Sequence, residues 1–341
     1  LNTRSRVIVL TATAVLLAAL AVAYTVSRGA EPAPAEGRTS GDETADGRRL
    51  QFLTNGRLSY TSPPRSRRVT PVECDRAYAA AGTVACLRPV GALSAGALVV
   101  MDAGLHQRRR VPLTGFPNRL RVSPSGRMVA WTLFIDGHSY ATTGFSTRAG
   151  VLDTRTGRLV TSLEDFAITK DGAPYRNRDV NLWGITFAAD DNRFYATLST
   201  GGGRYLVQGD FAAGTVRTLA PNVECPSLSP DGTHLAFKSA IAGDPKRGWR
   251  LSTLDLATLK TAPLGETRSV DDQPVWLDAH TIAYTLQLSD GTNQTWTVPA
   301  SGLGKPQLLL NNASSVSPIP APVQSARTGG QHRQSQADPR P

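Results

Sequence analysis

The stretch Ser229-Pro230-Asp231-Gly232, followed by Thr233-His234-Leu235-Ala236-Phe237, constrains the fold most, because it recurs along the chain. A close copy is Ser123-Pro124-Ser125-Gly126 with Arg127-Met128-Val129-Ala130-Trp131. Weaker copies surround Asp191 and Ala279. Each reads as strand, tight turn, strand. Proline presets φ at the first central turn position, Asp or Ser bonds the local backbone, and glycine takes the left-handed conformation that closes the hairpin. The alternating apolar residues that follow suit a half-buried strand.

A fainter copy ends at Gly82, where Val72-Glu73-Cys74 precedes the turn as Val223-Glu224-Cys225 precedes the turn at Gly232. With Gly82, Gly126, Asp191, Gly232 and Ala279 as markers, three of the four intervals fall at ~40 to 50 residues, the period of a β-propeller blade. The interval from Gly126 to Asp191 holds about 20 residues more than that period. The excess is assigned to residues 137–148 or 165–180, where strand patterning lapses. The ends of the chain supply the last blade. Residues 52–60 form a hairpin around Asn55-Gly56, and Ala313-Ser314-Ser315-Val316-Ser317-Pro318 reads as the opening strand of an incomplete blade. Joining the two halves closes the ring and pairs edges that would otherwise aggregate. The expected fold is an all-β, six-bladed propeller closed by shared terminal strands, with five or seven blades as alternatives.

Residues 7–26 are apolar and uncharged, follow Arg4 and Arg6, and are long enough to cross a bilayer as a helix. The expected organisation is a transmembrane anchor or signal segment at 1–28, a flexible linker at 29–49, the propeller at 50–320 and a disordered tail at 321–341. Under the positive-inside rule the propeller lies outside the cytoplasm, tethered to the membrane, or secreted if Ala21-Val22-Ala23 marks a cleavage site. In an exported chain three cysteines suggest one disulfide. Cys74 and Cys86 flank one hairpin turn and are the favoured pair, with free buried thiols as the alternative, since without a bulge the pair would stand too far apart.

The net charge of +10 is spread over both ends and two clusters, Arg65-Ser66-Arg67-Arg68 and Arg108-Arg109-Arg110, that fall on expected outer hairpins and read as solvated turns. No aromatic platform accompanies them, so nucleic acid is not an expected partner. Nucleophile-elbow motifs are missing, the five histidines lack metal-ligand spacing, and Gly201-Gly202-Gly203 has no following Lys-Ser/Thr. No catalytic residue, metal or cofactor is assigned.

Aligning the repeats gives the first candidate site. Six residues before Pro230 lies Glu224; the same step from Pro124 gives Asn118, from Asp278 gives Asp272, and the Val-Glu-Cys match adds Glu73. If this column starts each innermost strand, Glu73, Glu224 and Asp272 converge at one channel mouth with Asp271 and Trp183 beside them. Convergent carboxylates suit a cation or a basic peptide; the plainer reading is ion pairing with arginines such as Arg76 or Arg119. The second candidate is the irregular loop, with His138, Tyr140, Phe145 and Arg148 as binding residues.

The Leu228 to Phe237 and Val122 to Trp131 stretches resemble the TolB-like, WD-type propeller repeat proteins. That resemblance implies an envelope-facing module that binds a protein or a wall component without catalysis. TolB carries an α/β domain before its propeller, whereas this chain has a tether there. Propellers also host lyases, lactonases and sugar-binding proteins, so a small-ligand or enzymatic use of the central channel is the alternative.

Overall fold

A computed structural model describes residues 49–62, 66–89, 91, 96–135 and 146–319. The expected membrane segment, linker and tail lie outside the described residues, as do His138, Tyr140 and Phe145. Among the described residues no helix is long and apolar enough to cross a membrane.

Six antiparallel blades account for nearly all of the described chain. The first takes its innermost strand, Ser314–Pro318, from the C-terminal side and its other strands, Leu50–Thr54, Arg57–Ser62 and Ser66–Glu73, from the N-terminal side. Leu50 pairs with Pro318, Gln51 with Ser317 and Leu53 with Ser314. The two chain ends thus complete one blade, and no open edge remains in the ring. The second blade runs Arg76–Ala80, Thr83–Arg88, Ala97–Asp102, Gln107–Pro112, and the third Phe116–Val122, Met128–Ile135, Ser146–Asp153, Leu159–Val160. The fourth is built on Asn181–Phe187, Arg193–Thr200, Gly203–Asp210 and Thr215–Pro221. The fifth is Glu224–Leu228, His234–Ala240, Trp249–Asp255, Thr261–Pro263, and the sixth Val275–Trp276, Thr281–Gln287, Asn293–Pro299, Gln307–Asn311. Each innermost strand touches those of the two neighbouring blades, and the sixth touches the first, so the contacts form a closed ring of six.

The long interval between turn markers has a structural cause. Ala167–Lys170 and Ala173–Tyr175 form an extra hairpin that pairs, in parallel through Ala167–Lys170, with the outer strand Thr215–Pro221, giving the fourth blade six strands.

The core lies between blades, because a strand presents alternate residues to opposite faces. Leu53 and Leu58 pack on Val84 and Met101 of the second blade, while Leu50 and Phe52, from the same strand as Leu53, pack on Ala283 and Leu310 of the sixth. Phe194 joins the cluster shared with the third blade, and its neighbour Tyr195 joins the one shared with the fifth. Trp131 fills the second-to-third interface, and Trp276 with Tyr284 the fifth-to-sixth. There is one such cluster for each of the six interfaces.

The recurring motif is the turn between first and second strands. In the fifth blade Ser229 and His234 are joined by a backbone bond of 2.8 Å, and Asp231 accepts from Thr233 N at 3.1 Å. Gly232 has φ of +73°, where a Cβ would be strained.

Candidate functional site

The innermost strands surround an axis, and the side chains they send inward decide whether it is a channel. Glu224 and Asn118 lie on innermost strands, Trp183 lies on that of the fourth blade, and Asp271 and Asp272 precede that of the sixth. Glu73 does not join them. It ends the outermost strand of the first blade, exposed, 3.6 Å from Arg57. The innermost strand of the second blade begins only at Arg76, so a basic residue stands near where the repeat alignment expects an acidic one.

That displacement changes the electrostatics. Arg76, Arg119, Arg121, Arg204 and Lys238 surround Glu224, Asp271 and Asp272. Glu224 is buried and faces Lys238 at 3.8 Å and Arg204 at 3.1 Å, and it accepts from the Trp249 indole at 3.2 Å. Lys238 also bonds Asp271, stacks on the Trp249 ring at 4.1 Å and is 4% exposed. Burial would raise the Asp271 carboxyl, but Lys238 beside it, with Arg119 and Arg76 behind, more than reverses this and holds it below the usual carboxylate range. The Arg76 guanidinium is pushed down, first by burial and then by repulsion from Arg119. For Arg119, burial works against the charge, yet Cys225, Asp272 and Asp271 outweigh it and raise its pKa.

The long side chains also cross the axis. Arg119 and Arg121 leave the third blade and reach the sixth, opposite in the ring: Arg119 lies 3.4 Å from Asp271, and Arg121 donates to the Pro274 carbonyl at 3.0 Å. Arg121 stacks on Tyr78 of the second blade at 4.5 Å. From the sixth blade, Gln273 donates to the Ile185 carbonyl at 3.2 Å and the Pro226 carbonyl at 2.9 Å, tying in the fourth and fifth. Asp272 accepts from Thr285 N at 2.9 Å within its own blade. Asn118 offers its backbone carbonyl to Arg76 at 2.7 Å and to Arg119 at 3.2 Å. Arg76, Arg119, Arg121, Asp272 and Gln273, with residues of the first blade, line a cavity of about 30 Å³ beside the axis. It is room for one water molecule.

Cys225 sits among these residues, 1% exposed and free, with φ of +51° at a bulge of its strand. A Cβ on Gly184 in the adjoining blade would come within 2.7 Å of the Cys225 Cα, so only glycine permits this approach. Cys74 and Cys86 form a disulfide, with Cα atoms 5.5 Å apart. Cys74 lies just before the strand Arg76–Ala80, and this offset brings it to Cys86, whose register partner is Ala77.

Of the loop candidates, only Arg148 lies among the described residues. It is exposed on Ser146–Asp153. Next to it, Thr147 N donates to Asn181 Oδ1 at 2.6 Å, which brings the loop stem beside the start of the fourth innermost strand. The stem and the mouth at Glu224 therefore share one face. Sequence reasoning missed Lys238, Arg121, Arg204 and Gln273. Lys238 was within reach, because it is the register partner of Glu224 across the Ser229-Pro230-Asp231-Gly232 turn. Among the described residues no group of three or more His, Cys, Asp or Glu could hold a metal ion.

No protein-family model matches the sequence, and no curated protein matches it. Solved structures do. The crystal structure of TolB from Acinetobacter baumannii aligns with TM-score 0.61 at 14% identity, covering 82% of this chain and 68% of that one. A chain of the nidogen/laminin complex aligns with TM-score 0.50 at 13% identity, covering 75% and 90% respectively. A putative TolB from Agrobacterium tumefaciens gives TM-score 0.48 at 12% identity, with 80% and 98% covered. At such identities the likeness is one of fold, and function has to be argued from sites. The fold of this chain is that of the TolB-like six-bladed propellers.

Proposed function

We propose that the protein is a non-catalytic interaction module of the cell envelope, held at the membrane by residues 7–26, with its propeller outside the cytoplasm binding a protein or wall component. The observation that carries this reading is the filled axis. The cavity of about 30 Å³ beside the crossing arginines is far below the ~300 to 1,000 Å³ of pockets that enclose small ligands, so it does not enclose a substrate. Contact through the outer face of the mouth needs no such room. Asp271, with its side chain 56% exposed, and Arg148 belong to that face.

TolB from Acinetobacter baumannii supports an envelope role by analogy of fold, and the nidogen/laminin structure is itself an assembly of two proteins.

Photo-crosslinkers placed at Asp271 and at Arg148 in intact cells test the reading, with Lys260 on the outer edge of the fifth blade as the control. Discrete adducts from the first two positions and none from the third are expected. Absence of adducts at all three, together with turnover of a small substrate by the purified chain, would contradict it. Fractionation of the same cells should place the chain with the membranes.

A further inference from the structure

The innermost strands end at a second face, and there the first and second blades part. Between them lies a cleft of about 600 Å³. Its walls are small and apolar: Ala79, Ala80 and Val84 on one side, Leu105 at the outer turn, and Pro318 with Ile319 at the inner end. Its other wall is a single row across the first blade. Ser317 pairs with Gln51, Gln51 with Tyr60, and Tyr60 with Arg68, so the four side chains point to one face of the sheet at ~5 Å intervals.

The row changes character from the axis outward. Ser317 is satisfied, accepting from Ala79 N at 3.1 Å. Gln51 comes next, fully buried, and neither its Nε2 nor its Oε1 has a partner. The Tyr60 hydroxyl is buried without a partner as well. Burial pushes its pKa up to about 12, so it remains a neutral donor. At the rim Arg68 and Arg49 are exposed guanidinium groups. None of the described residues lining the cleft is acidic.

Native proteins seldom leave buried polar groups unpaired. Here an orphan donor and acceptor share one carboxamide, a second orphan lies beside it, and two cations wait at the opening. A carboxamide with both ends free is matched by another amide. The guanidinium groups are matched by a carboxylate.

We propose that this cleft binds a free peptide C-terminus, with the terminal carboxylate at Arg49 and Arg68, the preceding peptide group against Gln51 and Tyr60, and apolar side chains along the alanine wall. Terminal carboxylates are a recurrent recognition element of this type. The site lies away from the axial mouth and does not depend on the reading given for it.

The test uses the full chain and acetyl-leucyl-leucine as probe, against the same dipeptide with its carboxylate amidated, followed by calorimetry or ligand-observed NMR. The free acid should bind at least ten-fold more tightly than the amide. Arg49→Ser with Arg68→Ser should bring the acid down to the level of the amide. Gln51→Met and Tyr60→Phe should weaken both forms several-fold while raising the Tm of the unliganded chain, because each removes an unpaired buried group. That opposite movement of binding and stability is what a purely structural role would not give. Three results would overturn the proposal: no saturable binding by the wild-type chain, as would follow if residues 320–341 covered the cleft; equal binding of acid and amide; or a lowered Tm in Gln51→Met and Tyr60→Phe with binding unchanged.

Discussion

The axis and the cleft between the first two blades are both lined by polar side chains on strands of one propeller, yet they settle those side chains differently. At the axis, Arg119, Arg121 and Gln273 are long enough to reach across the ring, and each finds a carboxylate or carbonyl on another blade, while the Nε atoms of Arg119 and Arg121 stay buried without a partner. In the cleft, Gln51 and Tyr60 face Ala79 and Ala80, which have no side chain to answer them. The difference is one of degree: at the axis each long side chain is held by at least one bond to another blade, whereas the Gln51 carboxamide has a partner at neither end.

The comparison breaks most visibly if a charge is removed from the axis. Glu224→Gln leaves Lys238 and Arg204 facing a neutral side chain inside the protein, and breaking a buried pair in this way costs about 3–5 kcal/mol. Urea denaturation should show a loss of that size, whereas Gln51→Met in the cleft should gain stability. Equal and small effects at the two places would erase the distinction.

The disulfide comes next. Cys74→Ser with Cys86→Ser opens a loop with a sequence separation of 12, worth about 3 kcal/mol in chain entropy. Because it lies beside the first-to-second interface, hydrogen exchange should rise first around Leu53, Leu58 and Val84 and leave the axial strands of the third and sixth blades protected.

A third interface sharpens the comparison through pH. Glu164 accepts from Ala149 N at 3.0 Å and Leu182 N at 3.2 Å, tying the third blade to the fourth, and burial nonetheless raises its pKa to about 7. From pH ~4.5 to 7 the unfolded chain has released this proton and the native chain has kept it, so stability falls as pH rises through that window. Thermal unfolding of Glu164→Gln across the same range should lack that slope.

The smallest effect belongs to the repeat turn. Asp231→Ala removes an acceptor for Thr233 N and for Ser229 Oγ, and a loss of about 1 kcal/mol is expected from hydrogen bonds of this kind. Neither the axis nor the cleft should respond.

The blades were legible because turn residues and alternating strands are local signals, and a repeated local signal counts itself. The closure of Ser314–Pro318 onto Leu50–Thr54 was legible as two incomplete halves. The axial column was legible only in part, since a ruler drawn from turns assumes that the turns are of equal length. In the fifth blade the pairing resumes from Leu228 to Leu235. In the second, Ala80 pairs with Thr83 across a two-residue turn in which Ala81 and Gly82 both have positive φ. The shorter turn brings Arg76, and not Glu73, to the start of the innermost strand. The crossing of Arg119 and Arg121 to the opposite blade, and the row from Ser317 to Arg68, depend on pairings between distant segments that no local pattern records.

Cys225 offers the most direct measurement, since the central claim is that the axis is filled. It is the free thiol among the crossing side chains and is 1% exposed. Alkylation of the native, non-reduced chain, followed by mass spectrometry, should leave Cys225 unmodified until the protein unfolds, with the onset of labelling tracking the urea transition. Stoichiometric labelling of the folded protein within minutes would show an axis open to small molecules and contradict the account.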